Sequence, residues 1–178
     1  MEKKFELTDN FVINALGIKL FQIKCTKAFK NANEGDLGGY VEKEENLSQS
    51  GDAWVYGDAW VYGNAQVYGN AQVSGDARVS GDAWVSGNAR VSGDAWVSGD
   101  ARVENDHMHC GFDCFGSCNR HTHAYMTNEN KVEIRCGCFR GSIEEFERKV
   151  KETHAGTIYE KQYKAIINLI KIKFGIDG

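Results

Sequence analysis

Between residues 51 and 103 the chain alternates small apolar and bulky positions inside a six-residue unit that repeats without a slip. Each unit runs Gly, Asp or Asn, Ala, a variable residue, Val, then Tyr or Ser. The valines fall at Val55, Val61, Val67, Val73, Val79, Val85, Val91, Val97 and Val103, with an alanine two residues before each. In Ala53-Trp54-Val55-Tyr56 the small residues Ala and Val share one side of a strand, the inward side, and Trp and Tyr face out. The Gly-Asp or Gly-Asn pair in every unit breaks the backbone, which excludes a continuous helix or a flat hairpin sheet. It predicts a coiled strand that turns a corner every six residues. Glycine supplies the backbone angles of each corner, and the Asp or Asn side chain can bond its own turn.

The flanks carry other patterns. Phe11, Val12 and Ile13, then Ile18 to Cys25 in rough alternation, predict one or two short strands joined near Asn14 to Gly17. This segment, residues 1–36, is expected to cover the first open coil, because an unpaired terminal strand edge templates aggregation. Val41 and Leu47 stand six apart, but Val55 follows Leu47 by eight, so a wider corner is expected around Ser48 to Ser50.

After Glu104 the repeat stops. Arg120 to Thr127 and Lys131 to Cys138 alternate on either side of Asn128-Glu129-Asn130 and predict a β-hairpin. Ser142 to Glu145 is a capping box, followed by the helical stripe Ile143, Phe146 and Val150, and Gly156 fits the end of that helix. A second capping box, Thr157 to Glu160, opens a helix with Tyr163, Ile166, Ile167, Ile170 and Phe174 inward. The expected architecture is mainly β: an N-terminal β cap (1–36), a solenoid (37–104) and a small C-terminal α+β domain of a hairpin and two helices (105–178).

Composition narrows the function. The chain has 178 residues, 42% of them hydrophobic, enough for a core, with 20 glycines and no proline. A net charge of -4 gives no electrostatic reason to expect nucleic acid or an anionic membrane as partner. No apolar run reaches membrane-spanning length and the N-terminus lacks a signal-peptide core, so a soluble, cytoplasmic protein is expected. There the six cysteines would be reduced thiols or metal ligands.

The array resembles the hexapeptide pattern of left-handed parallel β-helices, with Val as the aliphatic residue and Ala as the small residue four positions on. The resemblance implies a left-handed helix, three strands and about 18 residues per coil, and homo-oligomers, usually trimers. On that basis outward residues stack in ladders: Trp60, Arg78, Trp96; Trp54, Gln72, Arg90; and Gln66, Trp84, Arg102. Arg78 is placed to lie on Trp60 or Trp96 as a cation–π pair. Such outward aromatics either pack a homotrimer or form a partner or ligand surface in which Trp60, Arg78, Trp96, Trp84 and Arg102 are the anchors.

Catalysis on the coils is disfavoured. Hexapeptide acyltransferases need a histidine base and γ-type carbonic anhydrases need histidine zinc ligands, and residues 37–104 contain neither His nor Cys. The C-terminal region has both. Cys110, Cys114, Cys118 and His121 would suit tetrahedral zinc in type, though not in a standard paired spacing, and His107, His109, His123, Cys136 and Cys138 are further candidates. With a three-residue loop at Asn128 to Asn130, Thr127 pairs Lys131, and Cys136 and Cys138 share the face of Ala124 and Met126 as core thiols; a two-residue loop would turn them to His123 and His121, and the first register is preferred because it gathers Val132, Ile134, Ala124 and Met126. Zinc ligation and plain reduced cysteines both stay open.

Across its length the chain also resembles small hexapeptide-repeat proteins common in phage and prophage genomes. The likeness rests on Asp36-Leu37-Gly38-Gly39-Tyr40-Val41-Glu42 with Glu45-Asn46-Leu47-Ser48, on the array, and on a cap with Cys136-Gly137-Cys138-Phe139, Glu145-Phe146, Val150 and Lys151-Glu152-Thr153-His154. Gly116-Ser117-Cys118-Asn119 departs at Cys118 from the family's Gly-Ser-Arg-Asn. The resemblance implies a non-catalytic interaction protein, such as an inhibitor of bacterial defence that binds a host protein or sequesters a small nucleotide. The alternative is an enzyme using Cys136, Cys138 and His154, or a zinc site, in the C-terminal domain.

Overall fold

The structure, a computed structural model, describes residues 2–176. It is mainly β, a β-solenoid of about four turns followed by a small region of sheet and helix. The chain forms two compact units, residues 1–106 and 107–178.

The first unit opens with the antiparallel strands β1 (Phe5–Ile13) and β2 (Lys19–Cys25), followed by β3 (Leu37–Val41). Asn14 makes the β1–β2 turn, its Oδ1 accepting from the N–H groups of Leu16 and Ile18. Nine two-residue strands follow: β4 (Trp54–Val55), β5 (Trp60–Val61), β6 (Gln66–Val67), β7 (Gln72–Val73), β8 (Arg78–Val79), β9 (Trp84–Val85), β10 (Arg90–Val91), β11 (Trp96–Val97) and β12 (Arg102–Val103). Every third strand is a parallel neighbour, with Val61 opposite Val79 and Val85 opposite Val103, so one coil takes three units and 18 residues. The three solenoid faces are β3-β5-β8-β11, β4-β7-β10 and β6-β9-β12, and the β1–β2 hairpin extends the first of them.

Alternation explains the interior. From Ala53 to Val103 every alanine and valine of the array is at most 3% exposed, and each valine removed from water contributes roughly 1.5–3 kcal/mol. The coils are tied through the backbone: the Trp60 N–H donates to Ala77 O (2.9 Å) and the Tyr62 N–H to Val79 O (3.0 Å). The corner glycines from Gly51 to Gly99 all hold φ between 57 and 72°, where a Cβ is strained.

The wide corner before the array has two jobs. Asn46, at the end of a short 3-10 turn, is buried and donates through Nδ2 to Gly63 O and Ala65 O of the next coil. Gln49 accepts from the Lys4 and Phe5 N–H groups and donates to Phe5 O, fastening the start of β1. At the far end the chain folds back: the Asn88 N–H donates to Glu104 O and the Arg90 N–H to the Asp106 carboxylate.

The second unit is the antiparallel sheet β13 (His109–Phe115), β14 (Arg120–Met126), β15 (Val132–Cys136) and β16 (Phe139–Ser142), followed by α1 (Ile143–His154) and α2 (Ile158–Phe174). The expected hairpin is its centre: the Thr127 N–H donates to Lys131 O, and Ala124 pairs Ile134. The outer strands are two more than the alternation predicts. Ser142 caps α1 with Glu145 reaching back to the Ser142 N–H. At α2 the box is displaced by one residue: Thr157 accepts from the Glu160 N–H, but Glu160 accepts from Gly156. Ala124, Ile134, Cys136, Phe146, Val150, Tyr163, Ile166 and Ile170 form one apolar core between sheet and helices. Among the described residues no helix is long and apolar enough to cross a membrane.

Candidate functional site

The outward ladder forms on the first solenoid face. The Arg78 guanidinium lies over Trp60 (4.8 Å to the ring centroid) and Trp96 (5.8 Å), and Arg102 lies over Trp84 (4.7 Å) on another face. The 18-residue register produces these contacts, since it sets each arginine one strand spacing from its tryptophan. Tyr68 adds an edge contact to Trp84, which keeps 38% of its surface exposed. The five side chains therefore form two amphipathic strips on two faces of the solenoid.

Two expectations about outward residues need correction. Trp54 leaves the strand on the outer side but is only 1% exposed, because Phe5 and Phe29 pack edge-on against its ring. Beside it Asn31 donates to Asp52 O and accepts from the Tyr56 hydroxyl, so the N-terminal segment covers the first coil on that face. Tyr62, Ser80 and Ser86 are also buried. The position is not uniform, since Ser92, at the same place in its unit, is exposed.

Lys4, in the same cover, is buried with its ammonium donating to Ala53 O (2.8 Å) and Gly51 O (3.3 Å). Desolvation lowers its pKa to about 8, against the opposing pull of Asp52 and Cys25.

The proposed zinc ligands are not brought together. Cys110 pairs Ala124, so it points to the helix side of the sheet, where burial pushes its thiol up to about 11. His123 pairs Gly111 and therefore faces the other way, and His121, two residues earlier on β14, shares that opposite face. There His121 Nδ1 pairs with Asp113, and His109 Nδ1 lies 3.0 Å from His123 Nε2. Cys114 occupies a bulge of β13 with φ 62° and is exposed, and Cys118 is exposed in the loop before β14. Among the described residues no three His, Cys, Asp or Glu side chains converge to hold an ion. Strand pairing is the reason: residues 109–115 form β13 against β14, which sends Cys110 and His121 to opposite faces of the sheet.

Cys136 and Cys138 also part company. Cys136 is the buried core thiol expected, accepting from the Thr122 hydroxyl at 3.3 Å. Cys138 is exposed, because β15 ends at Cys136 and the chain turns through Gly137 and Cys138 to pair Cys136 with Phe139. That turn places Cys138 on the rim of a pocket of about 270 Å³, lined by the loop at Ser117 to Arg120, the turn at Cys136 to Phe139, α1 from Phe146 to His154, and Tyr163 of α2. The sequence reading missed Arg120, Lys149 and Tyr163 as neighbours of these cysteines. The available signal lies in the cap segments Gly116 to Asn119, Cys136 to Phe139 and Lys151 to His154, which folding gathers around this pocket.

Comparison with known proteins bears on the solenoid. The YdcK β-solenoid repeat family model matches residues 71–87 and 83–99. No curated protein matches the chain. The repeat match and the coiled parallel strands together make this chain a β-helix repeat protein.

Proposed function

We propose that the chain is a non-catalytic binding protein of phage type, in which the solenoid is a rigid scaffold and the Trp60–Arg78–Trp96 and Trp84–Arg102 strips are its recognition surface. One observation carries the reading: aromatic and guanidinium groups stack on the outer side of two solenoid faces, whose strands carry neither His nor Cys. Trp and Arg are the side chains that anchor protein interfaces, and here neither has to be ordered on binding. In the setting that the phage resemblance supplies, the partner is a bacterial defence protein or a nucleotide signal, and three chains associate through the solenoid faces. The enzyme alternative has its residues but not their pairing, since the His154 ring stacks on Tyr163 at 5.6 Å and bonds neither Cys136 nor Cys138.

The test compares the chain with a triple variant carrying Trp60→Ala, Arg78→Ala and Trp96→Ala. Light scattering measures the number of chains per particle. Calorimetry against cyclic nucleotides, and capture from a host lysate with identification by mass spectrometry, measure binding. A ligand or protein bound by the wild type and lost from a folded triple variant supports the reading; equal binding by both refutes the ladder's role.

A further inference from the structure

The pocket of the C-terminal unit has a divided chemistry. Its floor is apolar: Phe139 and Phe146 stack tilted at 5.0 Å, Phe146 meets the edge of Tyr163 at 5.5 Å, and Val150 closes the side. Its rim carries Arg120 and Lys149, the imidazole of His154, and the hydroxyls of Ser117 and Thr153. Among the described residues no carboxylate lines it, although the whole chain carries 25 acidic residues against 21 basic ones. A cationic mouth over an aromatic floor in an acidic protein is a local reversal of charge.

The rim is held in place before any ligand arrives. Arg120 lies across the β15–β16 turn so closely that a Cβ on Gly137 would fall 2.4 Å from its Nη1, and Gly137 has φ +59°. Arg120 has no ion-pair partner among the described residues, and Lys149 meets only Glu152, at 3.7 Å between two exposed groups. Such a surface pair contributes little, so both cations remain available. On the other wall the loop at Gly116 closes over the Tyr163 ring, and the Gly116 N–H donates to Gln162. Burial and the neighbouring Cys136 raise the Tyr163 pKa, so its hydroxyl keeps its proton.

We propose that this pocket binds a small organic anion with a single flat apolar body, an aryl carboxylate or aryl phosphate, its oxyanion on Arg120 and Lys149 and its ring against Phe139, Phe146 and Val150. The guanidinium fork matches two oxygens of either headgroup. The volume, about 270 Å³, lies just under the range typical of drug-sized ligands, which suits one ring rather than a polymer. The site is independent of the solenoid strips and stands whether or not they bind a partner.

Cysteine footprinting on the full chain tests it, because two exposed thiols of the pocket, Cys118 and Cys138, have an exposed control outside it in Cys114. Alkylation by iodoacetamide is followed by mass spectrometry with phenyl phosphate, benzoate or neutral benzyl alcohol present. Both anions should slow labelling of Cys118 and Cys138 several-fold and leave Cys114 unchanged. Arg120→Gln should weaken this protection about tenfold or more in ligand concentration, as expected for loss of a charge-assisted bond. Thr153→Trp, a change at an exposed position, should abolish it by filling the mouth, and Trp60→Ala should leave it intact. Labelling of Cys118 and Cys138 that millimolar anion leaves unchanged would overturn the proposal. So would equal protection by benzyl alcohol, or protection that survives both Arg120→Gln and Lys149→Gln.

Discussion

Replacing Gly81 and Gly93 by alanine, one at a time, separates two contributions to coil stacking. Both glycines sit at corners with nearly the same backbone, φ +70° and +65°, so an alanine meets the same left-handed strain at each, about 1–2 kcal/mol. Their surroundings differ. A Cβ on Gly81 falls 2.8 Å from the Gly99 nitrogen and 3.2 Å from its Cα, whereas a Cβ on Gly93 meets nothing within 4 Å. The obstacle is backbone of the next coil and cannot swing aside, so Gly81→Ala adds an overpacking cost of about 1–3 kcal/mol. The totals are about 1–2 kcal/mol for Gly93→Ala and about 2–5 kcal/mol for Gly81→Ala. With roughly 4 °C per kcal/mol for a unit of this size, the Tm should fall about 4–8 °C and about 8–20 °C. All four tryptophans lie between residues 54 and 96, so intrinsic tryptophan fluorescence reports solenoid melting without a signal from the C-terminal unit. Equal losses for the two variants would refute the 18-residue stacking from which the difference is worked.

Other perturbations address the cover and the thiols. Trp54→Ala should cost about 3–5 kcal/mol in urea unfolding, as a fully buried aromatic, whereas Trp84→Ala, exposed and losing mainly its contact with Arg102, should cost about 1 kcal/mol. Lys4 has a folded pKa near 8 against an ordinary 10.5, so between those values the unfolded chain holds the extra proton. Stability from this group therefore rises with pH across that window, and wild type should gain on Lys4→Met from pH 8 to 10.5 in matched unfolding curves. Without probe present, iodoacetamide at pH 8 should label Cys114, Cys118 and Cys138 first. Cys110, its pKa raised from 9.0 to about 11, holds about 100-fold less thiolate and should lag by mass spectrometry.

The route from chain to fold is readable where the determinants are local. Val61 and Ala59 declare an inward face because alternation along a strand is a two-residue property, and Gly57-Asp58 declares a corner by its own backbone chemistry. Thr127 pairing Lys131 follows from the register that gathers Ala124, Met126, Val132 and Ile134 on one face, and Ser142 announces α1 by its box with Glu145. Cys110, Cys114, Cys118 and His121 suit zinc by residue type, but type and spacing do not say which face of a strand each side chain takes. Strand pairing to β14 decides it, satisfying the backbone from His109 to Phe115.

The recognition surfaces divide in the same way. That Trp60, Arg78 and Trp96 point outward follows from the six-residue period, and their stacking follows once three units close a coil. No local pattern told Trp54 apart from Trp60; Phe5 and Phe29, far away in the chain, decided it by covering one and not the other.

By itself, the sequence determined the solenoid's interior, its corners, the central hairpin and the helix starts, because each depends on residues within a few positions of one another. Tertiary structure alone decided which tryptophan is covered, which face each cysteine and histidine takes, and that Arg120, Cys138, Lys149 and Tyr163 meet around one cavity. Those outcomes depend on strand register and helix docking between distant segments, which no short-range periodicity encodes.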